Sequence, residues 1–383
     1  MKPGSKARRG LSALALAALP AAIVPAATMA ETYTASTWFA PTHLLSHYPY
    51  MEWHEALAEA TGGEIAFEVY NGSTLLPPKA TMSGVADGVA EVGIVYPGYQ
   101  PAELPLNNLL IDASFVSDNH YAAAFAYTDM IMNTPEVYAE WSENGVVTGP
   151  GFATAIYNFV CASPVYSVAQ AKGKKFRTAG AAQVDFVESI GGIAVSVPFS
   201  EVYTGMQRGS LDCAMVDATT LTVGPKLAEV SSDVTEIPVG IIIGSSWVYN
   251  KSFWRSLPEE TRATLMEQMI LALARMEIGY EQQGNEGLEG ARAQGVNVGA
   301  PEADLAAALD SYNTSFLQDL PAAAAERFRI AQPEAILAEF MEKQDAWKAR
   351  LAEVDIQDQE VIIALLEEHI FSKVDIATYG MED

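Results

Sequence analysis

Cysteine, histidine and positive charge are all scarce in this chain. Among 383 residues only Cys161 and Cys213 are cysteines, five are histidines, and 22 Lys and Arg stand against 48 Asp and Glu. So few soft ligands leave no zinc-finger framework and no paired redox thiols. The acidic excess repels nucleic acid and anionic lipid. Phosphate-loop spacing is missing too: Gly149-Pro150-Gly151 and Gly191-Gly192 lack the lysine and hydroxyl that such a loop needs. No serine sits in a nucleophile-elbow context. His43, His47, His54 and Glu55 form the one histidine cluster, but no third ligand at recognised spacing completes a metal site around the His43/His47 pair. We expect no enzyme, no metal and no cofactor.

Long apolar runs are also missing after the first thirty residues. Lys2, Lys6, Arg8 and Arg9 precede an apolar stretch from Leu11 to Val24, and Thr28-Met29-Ala30 places small residues where a signal peptidase cuts. Residues 1–30 are therefore expected to be a signal peptide, with Arg8-Arg9 leaving general and twin-arginine export both open. The leader holds four of the 22 basic residues and none of the 48 acidic ones, which leaves a mature charge near −30. Export takes both cysteines to an oxidising compartment, where they either form a disulfide or stay as buried thiols.

What is present is a repeated strand–helix rhythm, the mark of an α/β fold. Strands are expected at Thr32–Thr37, Glu64–Val69 and Val92–Tyr96 with amphipathic helices between them, and Tyr96-Pro97-Gly98-Tyr99 breaks the series. A second series follows, with strands at Ile156–Cys161, Lys174–Thr178, Ala194–Val197 and Asp212–Val216. The apolar run Thr235–Val248 is long enough to carry the chain back to the first series. Ser256-Leu257-Pro258-Glu259-Glu260 reads as an N-cap, an early proline and two acids for a helix that persists to Gln294. Such a helix exceeds one domain and predicts two lobes joined by several crossings. Residues 31–154 plus 243–282 are assigned to a first α/β lobe, 155–242 plus 283–335 to a second, and 336–383 to a C-terminal helical extension.

In open α/β sheets, ligands sit outside the carboxyl ends of strands. Arg177 stands at such an end, and a guanidinium offers the planar fork that matches a carboxylate. Position alone favours a surface arginine. The segments Ala171-Lys172-Gly173-Lys174-Lys175-Phe176-Arg177 and Val197-Pro198-Phe199-Ser200-Glu201-Val202-Tyr203-Thr204-Gly205-Met206-Gln207-Arg208-Gly209-Ser210-Leu211-Asp212 resemble the signature of solute-binding subunits of tripartite ATP-independent periplasmic (TRAP) transporters, the dicarboxylate-binding (DctP-like) family. Gly84 to Gly93 and Asn250-Lys251 leading to Ser256-Leu257-Pro258 add to the likeness.

The resemblance implies a two-lobed periplasmic binding-protein fold that closes on a small organic acid, with Arg177 as the carboxylate anchor. It also implies delivery to a membrane subunit pair driven by a sodium gradient. Asp217 matches a ligand-lining position where an amide is commoner, so it would accept from a hydroxyl, attract an ammonium or help hold a cation. Tyr157 stands where the family's sialic-acid binders carry a second arginine, which argues against that ligand. From the residues themselves, Trp38, His43, Tyr96 and Tyr99 fall at or just after strand ends and Trp247 ends the later crossing strand; aromatic faces there wall a cleft or pack a core. Glu201 and Tyr203 suit helix capping or transporter docking. A monomeric protein is expected, and a sensor subunit or an enzyme on the same scaffold remains the alternative.

Overall fold

The computed structural model describes residues 31–382 together with Met1 and Gly4; the expected leader lies outside the described residues. Short apolar runs bounded by turns become two sheets. The first contains β1 (Glu31–Ser36), β2 (Ile65–Tyr70), β3 (Val92–Val95), β4 (Val146–Thr148), β5 (Gly151–Ala153) and β11 (Ile243–Asn250). Its order is β2-β1-β3-β11-β4, with β5 also paired to β11. β1 is parallel to β2 and β3, whereas β11 runs antiparallel to β3, β4 and β5.

The second sheet takes β6 (Tyr157–Cys161), β7 (Lys175–Thr178), β8 (Ile193–Ser196), β9 (Cys213–Asp217), β10 (Asp233–Thr235) and β12 (Asn297–Gly299), in the order β12-β10-β6-β9-β7-β8. Its central strands β6 and β9 are buried almost throughout, as strands covered by helices on both faces must be. The edge strand β8 leaves Ile193 half exposed.

The chain crosses between sheets at residues 153–157 and 239–243, and the crossings are bonded to each other. Thr154 N–H donates to the Ile242 carbonyl at 2.9 Å, and Tyr157 N–H to the Gly240 carbonyl at 2.8 Å. Gly240 has φ +89°, and a Cβ there would lie 2.6 Å from Phe115 Cα, so the crossing needs glycine on both counts.

The third connection is the helix Glu259–Ala293, 35 residues and therefore roughly 52 Å long at ~1.5 Å per residue. It buries Leu265, Met269 and Leu273 in the core of the first sheet and Ala291 in that of the second. Its start differs from the sequence expectation. Ser256 ends the preceding helix, with its hydroxyl donating to the Phe253 carbonyl, and Pro258 takes the N-cap position without a side-chain cap. Proline supplies the extended backbone before the first turn and has no N–H to lose. Near its other end, Gly287 lets the helix press on the turn after β9: a Cβ would stand 2.1 Å from the Ala218 carbonyl oxygen.

The C-terminal helices return to the first sheet's side. In the helix Pro333–Leu351, Lys343 reaches Asp129 at 2.5 Å and Gln344 accepts from Ser117 at 2.7 Å; beyond it, the Tyr379 hydroxyl donates to the Thr148 carbonyl at 2.7 Å.

A buried ionic cluster ties the long helix to the first crossing. Glu277, fully buried, accepts the Ala153 N–H at 3.0 Å through one carboxylate oxygen and pairs with His120 at 2.9 Å through the other. His120 also reaches Glu281 at 3.2 Å. Burial works against the imidazolium, but the two carboxylates outweigh it and hold His120 up at about 8. Burial raises Glu277 in turn, which offsets part of the gain.

Cys161 and Cys213 form a disulfide between register partners of β6 and β9. Closing a loop across a sequence separation of 52 stabilises by about 4 kcal/mol on chain-entropy grounds. Urea unfolding of a Cys161→Ala/Cys213→Ala protein should show a loss of about 3–4 kcal/mol, and unreduced denatured protein should expose no free thiol. The His120 cluster predicts a second effect. Since its pKa is raised from 6.5 in the unfolded chain to about 8 in the fold, its contribution, on the order of 2 kcal/mol, is complete below pH 6.5 and lost as pH rises through 8. A pH series of unfolding curves should show that decline in the wild type and a flatter profile in His120→Gln.

Candidate functional site

The facing edges of the two sheets enclose a cavity whose empty space is ≈ 360 Å³, the part open to solvent included. Its position follows from the topology: it lies off the carboxyl ends of β1, β3, β7 and β9, where open α/β sheets take their ligands. β6 and β11 run antiparallel to β9 and β3, so the start of β6 and the residue before β11 reach the same place.

On the second-sheet side stand Arg177, Asp217 and Tyr157. Arg177, only 2% exposed, is held from β7 by main-chain carbonyls: its Nε donates to Val197 at 3.3 Å and Nη1 to Met215 at 3.4 Å. The Phe199 ring stands 6.0 Å from the guanidinium carbon. Among the described residues no Asp or Glu oxygen lies within ion-pair distance of it. Asp217 closes β9 opposite Tyr157 and caps the turn that follows. Its Oδ1 accepts from the Thr219 N–H at 3.0 Å and from the Thr219 hydroxyl. Burial outweighs these donors and pushes its carboxyl up to about 6. Burial likewise raises the Tyr157 phenol, against the pull of the Arg177 charge.

The first-sheet side is aromatic. Trp38 donates its indole N–H to the Ile94 carbonyl at 3.1 Å and lies on Phe39, ring centres 4.0 Å apart. Phe39 stacks in turn on His43 at 4.0 Å. His43 accepts the Leu45 N–H at Nδ1, which leaves Nε2–H as the donor of a neutral ring. Burial lowers its pKa to about 3. That same hydrogen bond takes Nδ1 out of the His43/His47 pair, and His47 turns to Glu52 at 3.0 Å.

Two tyrosines join the lobes beside the cavity. The Tyr96 hydroxyl donates to the Ala179 carbonyl just past β7, and the Tyr99 hydroxyl accepts the Phe199 N–H at 3.0 Å. The cleft is thus described in a closed arrangement.

Of the residues expected at the site, Arg177, Asp217, Tyr157, Trp38, His43, Tyr96 and Tyr99 all line this cavity. Trp247 does not. It is wholly buried beside Trp53, with its indole N–H donated to the Pro49 carbonyl at 2.9 Å. Its position in the middle of β11, between β3 and β4, puts it in the core instead of at the sheet edge. Glu201 makes no side-chain cap, and Tyr203 donates to Glu229 at 3.0 Å away from the cavity. Sequence reasoning missed Phe199, Phe39, Phe152 and Thr154. Phe199 had a usable signal, being an aromatic residue directly after the strand-ending Val197-Pro198.

Two α/β lobes, three connections and a cavity between facing strand ends define the class of two-lobed solute-binding proteins. The chain belongs to the bacterial extracellular solute-binding protein family 7, whose DctP model matches residues 36–319. It is 28% identical over 208 residues to a solute-binding protein of Albidiferax ferrireducens, covering 53% of this chain and 60% of that protein. It is 27% identical over 231 residues to the C4-dicarboxylate-binding periplasmic protein DctP of Shewanella loihica, covering 58% and 66%. The matched part thus spans less than two thirds of either relative. Among solved structures, the TRAP solute-binding protein of Rhodoferax ferrireducens with copurified benzoate superimposes with a TM-score of 0.74 at 17% identity, covering 84% of this chain and 99% of that one. A marine-metagenome TRAP solute-binding protein specific for pyroglutamate gives 0.72 at 18%, covering 82% and 99%. Both establish the shared fold.

The contrast between Trp247 and Phe199 can be measured. Trp247→Phe should destabilise by about 1–3 kcal/mol, since the Pro49 carbonyl loses its buried donor, yet shift the affinity of a cavity ligand less than twofold. Phe199→Ala should weaken that ligand about tenfold by opening the wall over Arg177. Denaturant unfolding and calorimetric titration of the two variants test the pair.

Proposed function

We propose that this chain captures a small organic carboxylate in the interlobe cavity and delivers it, in the periplasm, to the membrane subunits of a TRAP transporter without chemically changing it. The observation that carries the reading is Arg177: a buried guanidinium whose hydrogen-bond partners are neutral groups, two main-chain carbonyls and the Tyr157 phenol, and which faces the cavity. A buried charge without a counter-charge is costly, and a ligand carboxylate would remove that cost through two parallel hydrogen bonds. Benzoate and pyroglutamate, found with two structural neighbours, are both carboxylates. Delivery follows from membership in the family. The cavity's titratable groups are Arg177, Asp217, a neutral His43 and tyrosines, with no activated nucleophile beside a base, which supports binding over turnover. Among the described residues no helix is long and apolar enough to cross a membrane.

In the same reading the lobes are residues 31–154 with 243–282 and residues 155–242 with 283–335. They act as a monomer and open and close about the crossings, with the signal peptide removed.

Losing one partner of a buried charge pair costs roughly 2–5 kcal/mol, some 30-fold to several thousand-fold in affinity. Arg177→Ala should therefore nearly abolish binding of the best acid found in a thermal-shift screen, and Arg177→Lys should restore little, because one ammonium lacks the planar fork. Isothermal titration is the measurement, with circular dichroism to show that the variants are folded. Binding of Arg177→Ala within about threefold of wild type would falsify the clamp, and product beyond one equivalent by mass spectrometry would overturn the reading of a binder without turnover.

A further inference from the structure

The cavity holds one fixed cation and one carboxyl group, both buried, and the rest of its lining is largely apolar or aromatic. Arg177 and Asp217 are 2% and 1% exposed. They come from neighbouring strands, β7 and β9, whose register pairs Arg177 with Ala214. A ligand on Arg177 therefore has Asp217 in the same enclosure. Thr219 donates both its N–H and its hydroxyl to Oδ1 of Asp217. The N–H groups of Asp217 and Thr220 also turn toward the carboxylate, and Oδ2, which Thr219 leaves, is the oxygen that a ligand would meet.

Resting on the carboxylate reading above, the geometry points to a ligand class: a compact monocarboxylate that carries a hydrogen-bond donor, N–H or O–H, next to its carboxylate, with Asp217 reading the donor and rejecting a second carboxylate.

Three alternatives fit the cavity less well. A dicarboxylate would find no second cation, since Arg177 is the only Lys or Arg among the lining residues and burial keeps His43 neutral. Its second carboxylate would also meet Asp217, and like charges in a poorly solvated enclosure repel strongly. A simple apolar acid would displace water from Oδ2 of Asp217 and offer it no donor in return, which costs free energy in a buried site. A metal ion held beside the ligand would need several oxygen ligands, whereas Asp217 is the one carboxylate in the lining and Oδ1 is taken. Sites built to bond a substrate donor discriminate sharply against the analogue that lacks it.

The test is isothermal titration of wild type and Asp217→Asn with phenylacetate, its 2-hydroxy and 2-amino derivatives, the butyrate series substituted in the same way, and succinate. Asparagine keeps an Oδ1 to cap Thr219 and presents an NH₂ group where the second carboxylate oxygen stood, so the fold should persist, with thermal unfolding as the check. In wild type, at least one hydroxy or amino acid should bind ten or more times tighter than its parent, with succinate weaker than that compound. In Asp217→Asn the gain should shrink at least fivefold and succinate should strengthen. Parent acids that bind as tightly as their derivatives, a gain that survives in Asp217→Asn, or succinate as the tightest ligand each overturn this inference while leaving the Arg177 clamp standing. If none of these acids nor any other carboxylate binds, or if Arg177→Ala binds like wild type, the clamp reading fails and this inference falls with it.

Discussion

Arg177 sits in the second sheet with a full charge, neutral carbonyls and the Tyr157 phenol for partners, and almost no contact with water. A cation left that way in a poorly polarisable interior is stable only because the surrounding fold holds it there. Much of the architecture is arranged around this constraint. β7 is clamped between β8 and β9, so the guanidinium cannot withdraw along the strand. Phe199 stands near it from the segment after β8, and that segment's N–H is bonded across the cleft to Tyr99. The first sheet thus helps to position a wall that belongs to the second.

Closing two lobes over such a group requires that they move as bodies without losing internal order. The disulfide helps on one side. It joins the far end of the β6–β9 ladder, whose near end carries Tyr157 and Asp217, so the site end is free to face the cleft while the other end is covalently fixed. On the other side the crossings are held by backbone bonds to each other and by Glu277 from the long helix, which accepts from Ala153 where the first crossing begins. Gly287 brings the same helix against Ala218, the residue after Asp217. One helix therefore touches both a crossing and the turn after Asp217, and in the proposed function movement of the lobes would reach the site through it.

The sequence made strands and helices legible because burial enforces periodicity. β1 to β3 and β6 to β9 appear within a residue or so of where apolar runs and turn residues put them. Arg177 is legible from the residues as a strand end, whereas Asp217 and Tyr157 are named through the family resemblance; all three line the cavity because strand ends are where the sheets meet. Trp247 failed for the same reason. The sequence puts the end of the crossing strand at Trp247, but β11 continues to Asn250, and its pairing with β3 and β4 puts Trp247 inside. Phe199 carries the local signal of an aromatic residue after a strand end, but Phe39 carries none, because its role depends on facing Phe199 across the cleft at 5.2 Å and no local pattern encodes a contact between lobes. The cap at Ser256 failed at a finer scale: a short helix and a long one are joined by two residues, and the serine serves the first of them.

The strongly acidic composition and an anion-binding site are compatible once distance and burial are considered. Exposed carboxylates act on an approaching anion through water and salt, where the field decays over about 8–10 Å. Inside the cavity, screening is weak, and the few fixed charges there dominate. The surface charge then sets the rate of encounter and the cavity sets the affinity, so the two can carry opposite signs. Asp217 is the exception that matters, because it brings a negative charge across that boundary to the ligand. Its carboxyl, pushed up to about 6 by burial, is still largely ionised at neutral pH. An anion arriving at Arg177 raises it further, unless the ligand offers a donor that stabilises the carboxylate form. Selectivity and charge state are therefore one problem at this residue: in the proposed reading, the ligand that holds Arg177 must also leave Asp217 partnered.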